Sequence, residues 1–274
     1  MVGMVAVVRP PAVAVAGSFY PSRPDALRRM VEASLLDAEA RLPEDAPDPK
    51  ALILPHAGYV YSGPTAALGY VLAGRRRGEI ERVVLLGPCH RVWVDGLALS
   101  GASAFATPLG DVRVEAPDST LDALPQLITS PEAHAGEHSL EVHLPFVQIV
   151  LGDVAALPIA VGGASPAEVA EVLDAAWGGP ETLVVISSDL SHYLPQPRAE
   201  DADAQTIDQI LRLDGPLTPR RACGAGPVNG LLATAARRGL TPTLLGSCTS
   251  GDPTVLRRDT DPSRVVGYAA IAFA

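Results

Sequence analysis

The chain has 274 residues, 47% of them hydrophobic, and a formal net charge of −10. That is room for one large domain or two small ones around a substantial core, and it excludes global disorder. The acidic balance argues against nucleic acid as the main partner, because no large basic patch neutralises phosphates. The one basic cluster, Arg75 to Arg77 between Gly74 and Gly78, reads as a solvated loop. Cys89, Cys223 and Cys248 are too few for a disulfide framework and suit a reducing, cytoplasmic setting. Met1–Ala16 is apolar, but Pro10 and Pro11 interrupt it, so it does not read as a signal peptide. No run approaches the roughly 20 apolar residues of a membrane span.

Along the chain, Ala12–Ala16 reads as a strand. Asp25–Arg41 has helical spacing, with a stripe of Leu27, Met30, Val31, Leu35 and Leu36. Leu42–Lys50 is a Pro/Asp loop, Ala51–Leu54 a buried strand, and Pro64 suits the start of a helix reaching Ala73. Arg82–Leu86 is a strand stopped by Gly87 and Pro88. Val94–Glu115, rich in Gly, Ser, Ala and Thr, reads as a hairpin beside the main sheet, and Leu121–Ile128 as a short helix. Glu137–Leu151 has a helical pattern that Pro145 kinks or restarts. Ala155–Val161 is a strand, Pro166–Trp177 a helix, Thr182–Ser187 a strand and Ala199–Leu213 a polar-faced helix. A tight turn at Arg221–Pro227 precedes a helix over Val228–Arg238, and Leu240–Gly246 and Val265–Phe273 close the chain as strands. The repeated strand-then-helix order predicts an α/β fold with a central, mostly parallel sheet flanked by helices, without a dividing linker.

Three of the expected strands deliver a histidine just past their ends: His56 after Ala51–Leu54, His90 after Arg82–Leu86, and Asp189 with His192 after Thr182–Ser187. Taken alone, each histidine reads as a structural one. Parallel strands bring their carboxyl ends to one edge, where ligands of open α/β sheets bind, so the repetition predicts a shared site.

Imidazole and thiolate suit zinc, iron or copper, but there is no C-x-x-C and no H-E-x-x-H, so a ligand set must assemble in space. Cys223 is the best third ligand: it precedes a helix, whose positive end is expected to lower its pKa. The commoner fate of a free cysteine is a small buried residue. The Cys89 side chain is expected to point away from the site. Asp189 and His192 suit proton transfer, the carboxylate fixing an imidazole tautomer. Ser187, Ser188 and Ser191 raise a serine hydrolase, but no G-x-S-x-G elbow is present. On a helix His138 and Glu141 share a face, while His143 lies about 140° from His138.

Six ordered motifs carry a resemblance: Ala16-Gly-Ser-Phe-Tyr-Pro21, Pro55-His-Ala-Gly-Tyr59, Gly87-Pro-Cys-His90, Glu137-His-Ser-Leu-Glu-Val-His-Leu-Pro145, Ser187-Ser-Asp-Leu-Ser-His192 and Ala222-Cys-Gly-Ala-Gly-Pro227. In this order they resemble the Memo family, whose bacterial members are often called AmmeMemoRadiSam system protein B. The family is similar in fold to class III extradiol ring-cleavage dioxygenases, which use non-haem iron. The resemblance implies one Memo-like domain over residues 1–274, with His56, His90 and Cys223 as ligands of one transition metal, iron first and copper or zinc as alternatives. It implies Asp189 and His192 as the catalytic pair, and Tyr59, His138, Glu141 and His143 as pocket residues. A cysteine where the dioxygenases have a carboxylate makes the site softer. Two functions are implied: a metal-dependent, dioxygenase-like oxidoreductase of unknown substrate, or a non-enzymatic metal- or peptide-binding protein that keeps such a pocket. A small-molecule or peptide ligand and association with radical SAM and AMMECR-type proteins are further expectations of the resemblance.

Overall fold

The computed structural model describes residues 13–252, 255 and 261–274. In chain order these form α1 (Pro24–Arg41), β1 (Ala51–Leu54), α2 (Tyr59–Gly74), β2 (Arg82–Pro88), β3 (Leu97–Leu99), β4 (Ala104–Thr107) and β5 (Gly110–Arg113). There follow α3 (Ser119–Asp122), β6 (Leu127–Thr129), α4 (Pro131–His134), a 3-10 turn at Glu141–His143, α5 (Leu144–Val150), β7 (Ala155–Val161) and α6 (Pro166–Ala176). The chain ends with β8 (Thr182–Ser187), β9 (His192–Leu194), α7 (Gln196–Leu211), α8 (Ala225–Arg238), β10 (Pro242–Thr249) and β11 (Val265–Phe273).

The sheet runs β10-β11-β1-β8-β2-β7-β3-β6, with β9 paired to β11. Its centre, β1, β8, β2 and β7, is parallel throughout; β11 joins β1, and β3 joins β7, in the antiparallel sense. These central strands read as unbroken apolar runs because both faces are covered. Alternate residues still go to opposite sides. Leu52, Leu54, Val83, Leu85, Leu183 and Val185 pack with α1, α2 and α5. Ala51, Ile53, Val84, Leu86, Val184 and Ile186 pack with α6, α7 and α8.

Several expectations are corrected. Helix α2 starts at Tyr59, so Pro64 lies inside it and Gly63 is helical. Strand β2 extends through Gly87 and Pro88, with Pro88 opposite Val161. Only the β4–β5 hairpin stands apart from the main sheet; Leu97–Leu99 joins it, and Leu127–Thr129 is a strand instead of a helix because its backbone pairs with β3. Residues 137–140 are not helical, so helix begins at Leu144, with Pro145 in its first turn. Leu36 is exposed, outside the buried stripe of α1. Of the expected Ala12–Ala16 strand, Ala12 lies outside the described residues and Ala16 makes a single bridge to Tyr20. Among the described residues no helix is long and apolar enough to cross a membrane.

Candidate metal centre

Strands β1, β8 and β2 are parallel neighbours, so their carboxyl ends emerge side by side. Past β1, the buried His56 donates its backbone N–H to Asp189 Oδ1 at 2.7 Å. Past β2 comes His90. At Gly87, a Cβ would lie 2.8 Å from Ser139 Oγ, so glycine lets residues 137–140 press against the strand end. Ser139 Oγ donates to the Pro88 carbonyl at 2.9 Å. This unexpected non-helical segment delivers His138 to the same place.

His56, His90 and His138 each offer a ligand atom, and these three atoms lie within 4.8 Å of one another. The His90 and His138 rings stack at 4.8 Å, and His56 meets both edge-on at 5.2 and 5.5 Å. The group can hold a metal ion. Burial holds His56 well below the usual imidazole range; it also lowers His138 to about 4, with Glu137 opposing and His90 adding to the shift. Both are therefore neutral and available as donors at neutral pH.

Glu137 sits behind this trio. It accepts from the amides of His90 at 2.5 Å and of His138 and Ser139 at 2.9 Å, and lies 3.0 Å from His90 Nδ1. Burial works against its charge, but the His90 side chain and the Ser139 and His90 amides outweigh it and hold the carboxyl at about 2. On the other side, His56 Nδ1 lies 2.6 Å from Ser187 Oγ. Ser187 is wholly buried and off the cavity wall, so no substrate reaches its hydroxyl despite the two imidazoles beside it, and it is not a serine nucleophile.

Cys223 Sγ lies 3.2 Å from His56 Nε2 and accepts the Asp189 N–H at 3.3 Å. At Gly224 a Cβ would lie 2.5 Å from the Ser187 carbonyl, so glycine permits this turn to touch the end of β8. The expected low thiol pKa is not found: burial first, then the Asp189 charge, push it well above its ordinary value, and the backbone and Ser188 hydrogen bonds do not offset this. Asp189 is itself buried and pushed up to about 7, against the hydrogen bonds from the His56 and Ala57 backbone and the charge of His90. His192 Nδ1 lies 2.9 Å from the Leu190 carbonyl, to which only an N–H can donate, leaving Nε2 as the free base. Desolvation at the cavity wall lowers its pKa.

His56, His90, His138, Asp189, His192 and Arg264 are among the walls of a cavity of about 500 Å³. Tyr59, Glu141, His143 and Cys223 are not on that wall, and among the described residues the trio of donor atoms within 4.8 Å does not include the Cys223 sulfur. The Tyr59 hydroxyl donates to the Val142 carbonyl at 2.5 Å. Glu141 accepts from Ala14 N at 2.7 Å, Val15 N at 3.1 Å and the Tyr20 hydroxyl, anchoring the segment that carries Ser18 and Phe19 into the cavity. His143 lies behind Ser187, with Nε2 3.0 Å from its Oγ. Cys89 packs against the core and Cys248 against Thr65, both away from the cavity. Glu137 was legible only as a motif member, with a carboxylate just before a site histidine as the available signal, and Ser187 only as a motif member and a hydrolase serine set aside for want of an elbow motif.

Fold and site together define an α/β protein of the class III extradiol dioxygenase-like type, with a histidine-lined cavity at the carboxyl edge of its sheet. The model of the Memo-like protein family matches residues 9–272. A "MEMO1 family protein" of Methanococcoides burtonii is 38% identical over 94% of this chain and 97% of its own length. Similar relatives in Sulfolobus acidocaldarius and Archaeoglobus fulgidus are each 35% identical, over 95% and 94% of this chain and 98% and 97% of their own lengths. The chain belongs to the Memo family.

Proposed function

We infer that this protein binds one transition-metal ion through His56, His90 and Cys223, with His138 completing the ring of donors, and uses it in a dioxygenase-like oxidoreductase reaction on a small molecule. The observation that carries the reading is the convergence of three imidazole donors within 4.8 Å, two of them just past the parallel strands β1 and β2. The donor set fits a metal. Two of the imidazoles are kept neutral by burial, and Glu137 beside His90 Nδ1 leaves Nε2 of that ring as donor. The raised pKa of Cys223 is no obstacle, since a coordinating thiol is deprotonated by the cation itself. Iron is the first choice by family resemblance; sulfur with imidazole also suits copper or zinc.

A metal here would supply a Lewis-acidic or redox-active centre. The protein's own groups supply the rest. His192 presents a bare Nε2 to the cavity and can take a proton from a bound hydroxyl. Asp189, held at about 7, can carry or release one near neutrality. A cavity of this size suits a small ligand, and Phe19, Tyr61, Tyr193 and Tyr268 provide aromatic walls. Metal analysis of protein purified without oxygen, followed by an oxygen-consumption screen with catechols, tests the reading. About one metal per chain and substrate-dependent oxygen uptake are expected. A tightly bound metal without uptake across the screen would favour a binding role.

A further inference from the structure

Ser187 Oγ has three polar neighbours: His56 Nδ1 at 2.6 Å, His143 Nε2 at 3.0 Å and the Ser139 carbonyl oxygen at 2.6 Å. A hydroxyl has one proton to donate, and a carbonyl has none. Two oxygens 2.6 Å apart attract only with a proton between them, so the Ser187 proton points at Ser139. Both imidazole nitrogens must then donate to Ser187. A neutral imidazole protonated on one nitrogen carries its lone pair on the other. His143 Nδ1 is therefore the acceptor of the Tyr70 hydroxyl 3.0 Å away, and His56 Nε2 is a bare donor atom facing Cys223 Sγ at 3.2 Å. The reverse arrangement, with Ser187 donating to His56, would leave two oxygen lone pairs opposed at 2.6 Å in a buried site. Both rings are buried, His56 2% and His143 1% exposed, where an unpaired charge is costly, so neither escapes the choice by taking a second proton.

We propose that Ser187, with His143 and Tyr70 behind it, is a positioning relay that locks His56 in the Nδ1–H tautomer and presents Nε2 toward Cys223 and the cavity. The use of that lone pair rests on the metal reading above; the tautomer itself does not. The thiol proton of Cys223 has His56 Nε2 as its nearest acceptor, at 3.2 Å against 3.7 Å to the Asp189 carbonyl. Nitrogen and sulfur thus share one proton in the metal-free protein, and both become donors when it leaves.

The test is a long-range proton–nitrogen correlation spectrum of metal-stripped protein labelled with 15N-histidine, followed by zinc titration. In the parent, His56 should show a protonated Nδ1 and bare Nε2, and His143 the opposite. Ser187→Ala removes the acceptor, so His56 should shift toward Nε2–H and zinc affinity should fall roughly 10- to 100-fold. Tyr70→Phe keeps the ring stacked on Phe146 at 4.9 Å and removes only the hydroxyl. It should mix the His143 tautomers and weaken zinc binding by less. Should Ser187→Ala fail to fold, the parent spectrum and Tyr70→Phe decide. A parent His56 protonated on Nε2 overturns the proposal, as do parental tautomers and affinity in both variants. A parent that shows the Nδ1–H form yet binds no zinc sinks the metal reading and supports the lock.

Discussion

The Glu137 carboxylate holds His90 at two points, accepting its backbone N–H at 2.5 Å and lying 3.0 Å from its Nδ1. One side chain thereby sets both where the residue starts and which way its ring faces. Glu137→Gln should lower zinc affinity roughly 10- to 100-fold while the protein still folds. The carboxyl is held at about 2 in the fold against an ordinary 4.5, so its ionised form stabilises the protein above pH 4.5. That contribution is lost as pH falls toward about 2. Denaturant midpoints of metal-stripped protein should therefore drop more steeply over this interval in the parent than in Glu137→Gln. Parallel acid limbs would show that the carboxylate is not held as described.

The ligand set is separable by substitution and by pH. Cys223→Ser should weaken metal binding strongly, because its Sγ lies 3.2 Å from His56 Nε2, whereas Cys89→Ser and Cys248→Ser should match the parent, since Cys89 packs against the core and Cys248 against Thr65. A thiol with a raised pKa must lose its proton on ligation, so affinity should climb about tenfold per pH unit between pH 7 and 8.5. Cys223→Ser should flatten that slope. A flat slope in the parent, together with loss of binding in His138→Ala, would give the third ligand position to His138.

Turnover and metal content should part company at His192. Its ring touches the cavity but is not in the imidazole trio. His192→Ala should cut turnover by about 100-fold or more with metal stoichiometry unchanged. Metal loss in proportion to activity would make it a ligand.

Glu141 acts at a distance from the cavity. Glu141→Ala leaves the amides of Ala14 and Val15 and the Tyr20 hydroxyl without their acceptor. A stability loss of about 1–3 kcal/mol is expected from such orphaned donors, read from urea midpoints. Faster proteolysis near Phe19 should accompany it, because that segment loses its anchor. Unchanged midpoint and cleavage would mean the clasp carries no weight in solution.

Much of the architecture was written in local pattern. Apolar runs such as Val83–Leu86 and Val184–Ile186 declare strands covered on both faces, and their alternation with helical stripes declares a parallel sheet. Errors fell where pairing or packing overrides local preference. Leu127–Thr129 is a strand because β3 lies beside it, and residues 137–140 are held out of a helix by the groups that Glu137 and Ser139 bind.

The site divides along the same line. That His56, His90, Asp189 and His192 gather at one edge follows from sequence alone, because a residue just past a parallel strand has little freedom over which edge it occupies. That His138 joins them, that Glu141 turns to the Ala14–Val15 backbone, and that His143 ends behind Ser187 follow from tertiary structure. A helical reading of the segment assigned those three to faces of a helix that its first residues do not form. The Cys223 thiol shows the physical reason most plainly. A helix start in the sequence predicts a lowered pKa, but the shift obeys the solvent removed and the Asp189 carboxylate brought near, and both are set only when the chain closes around it.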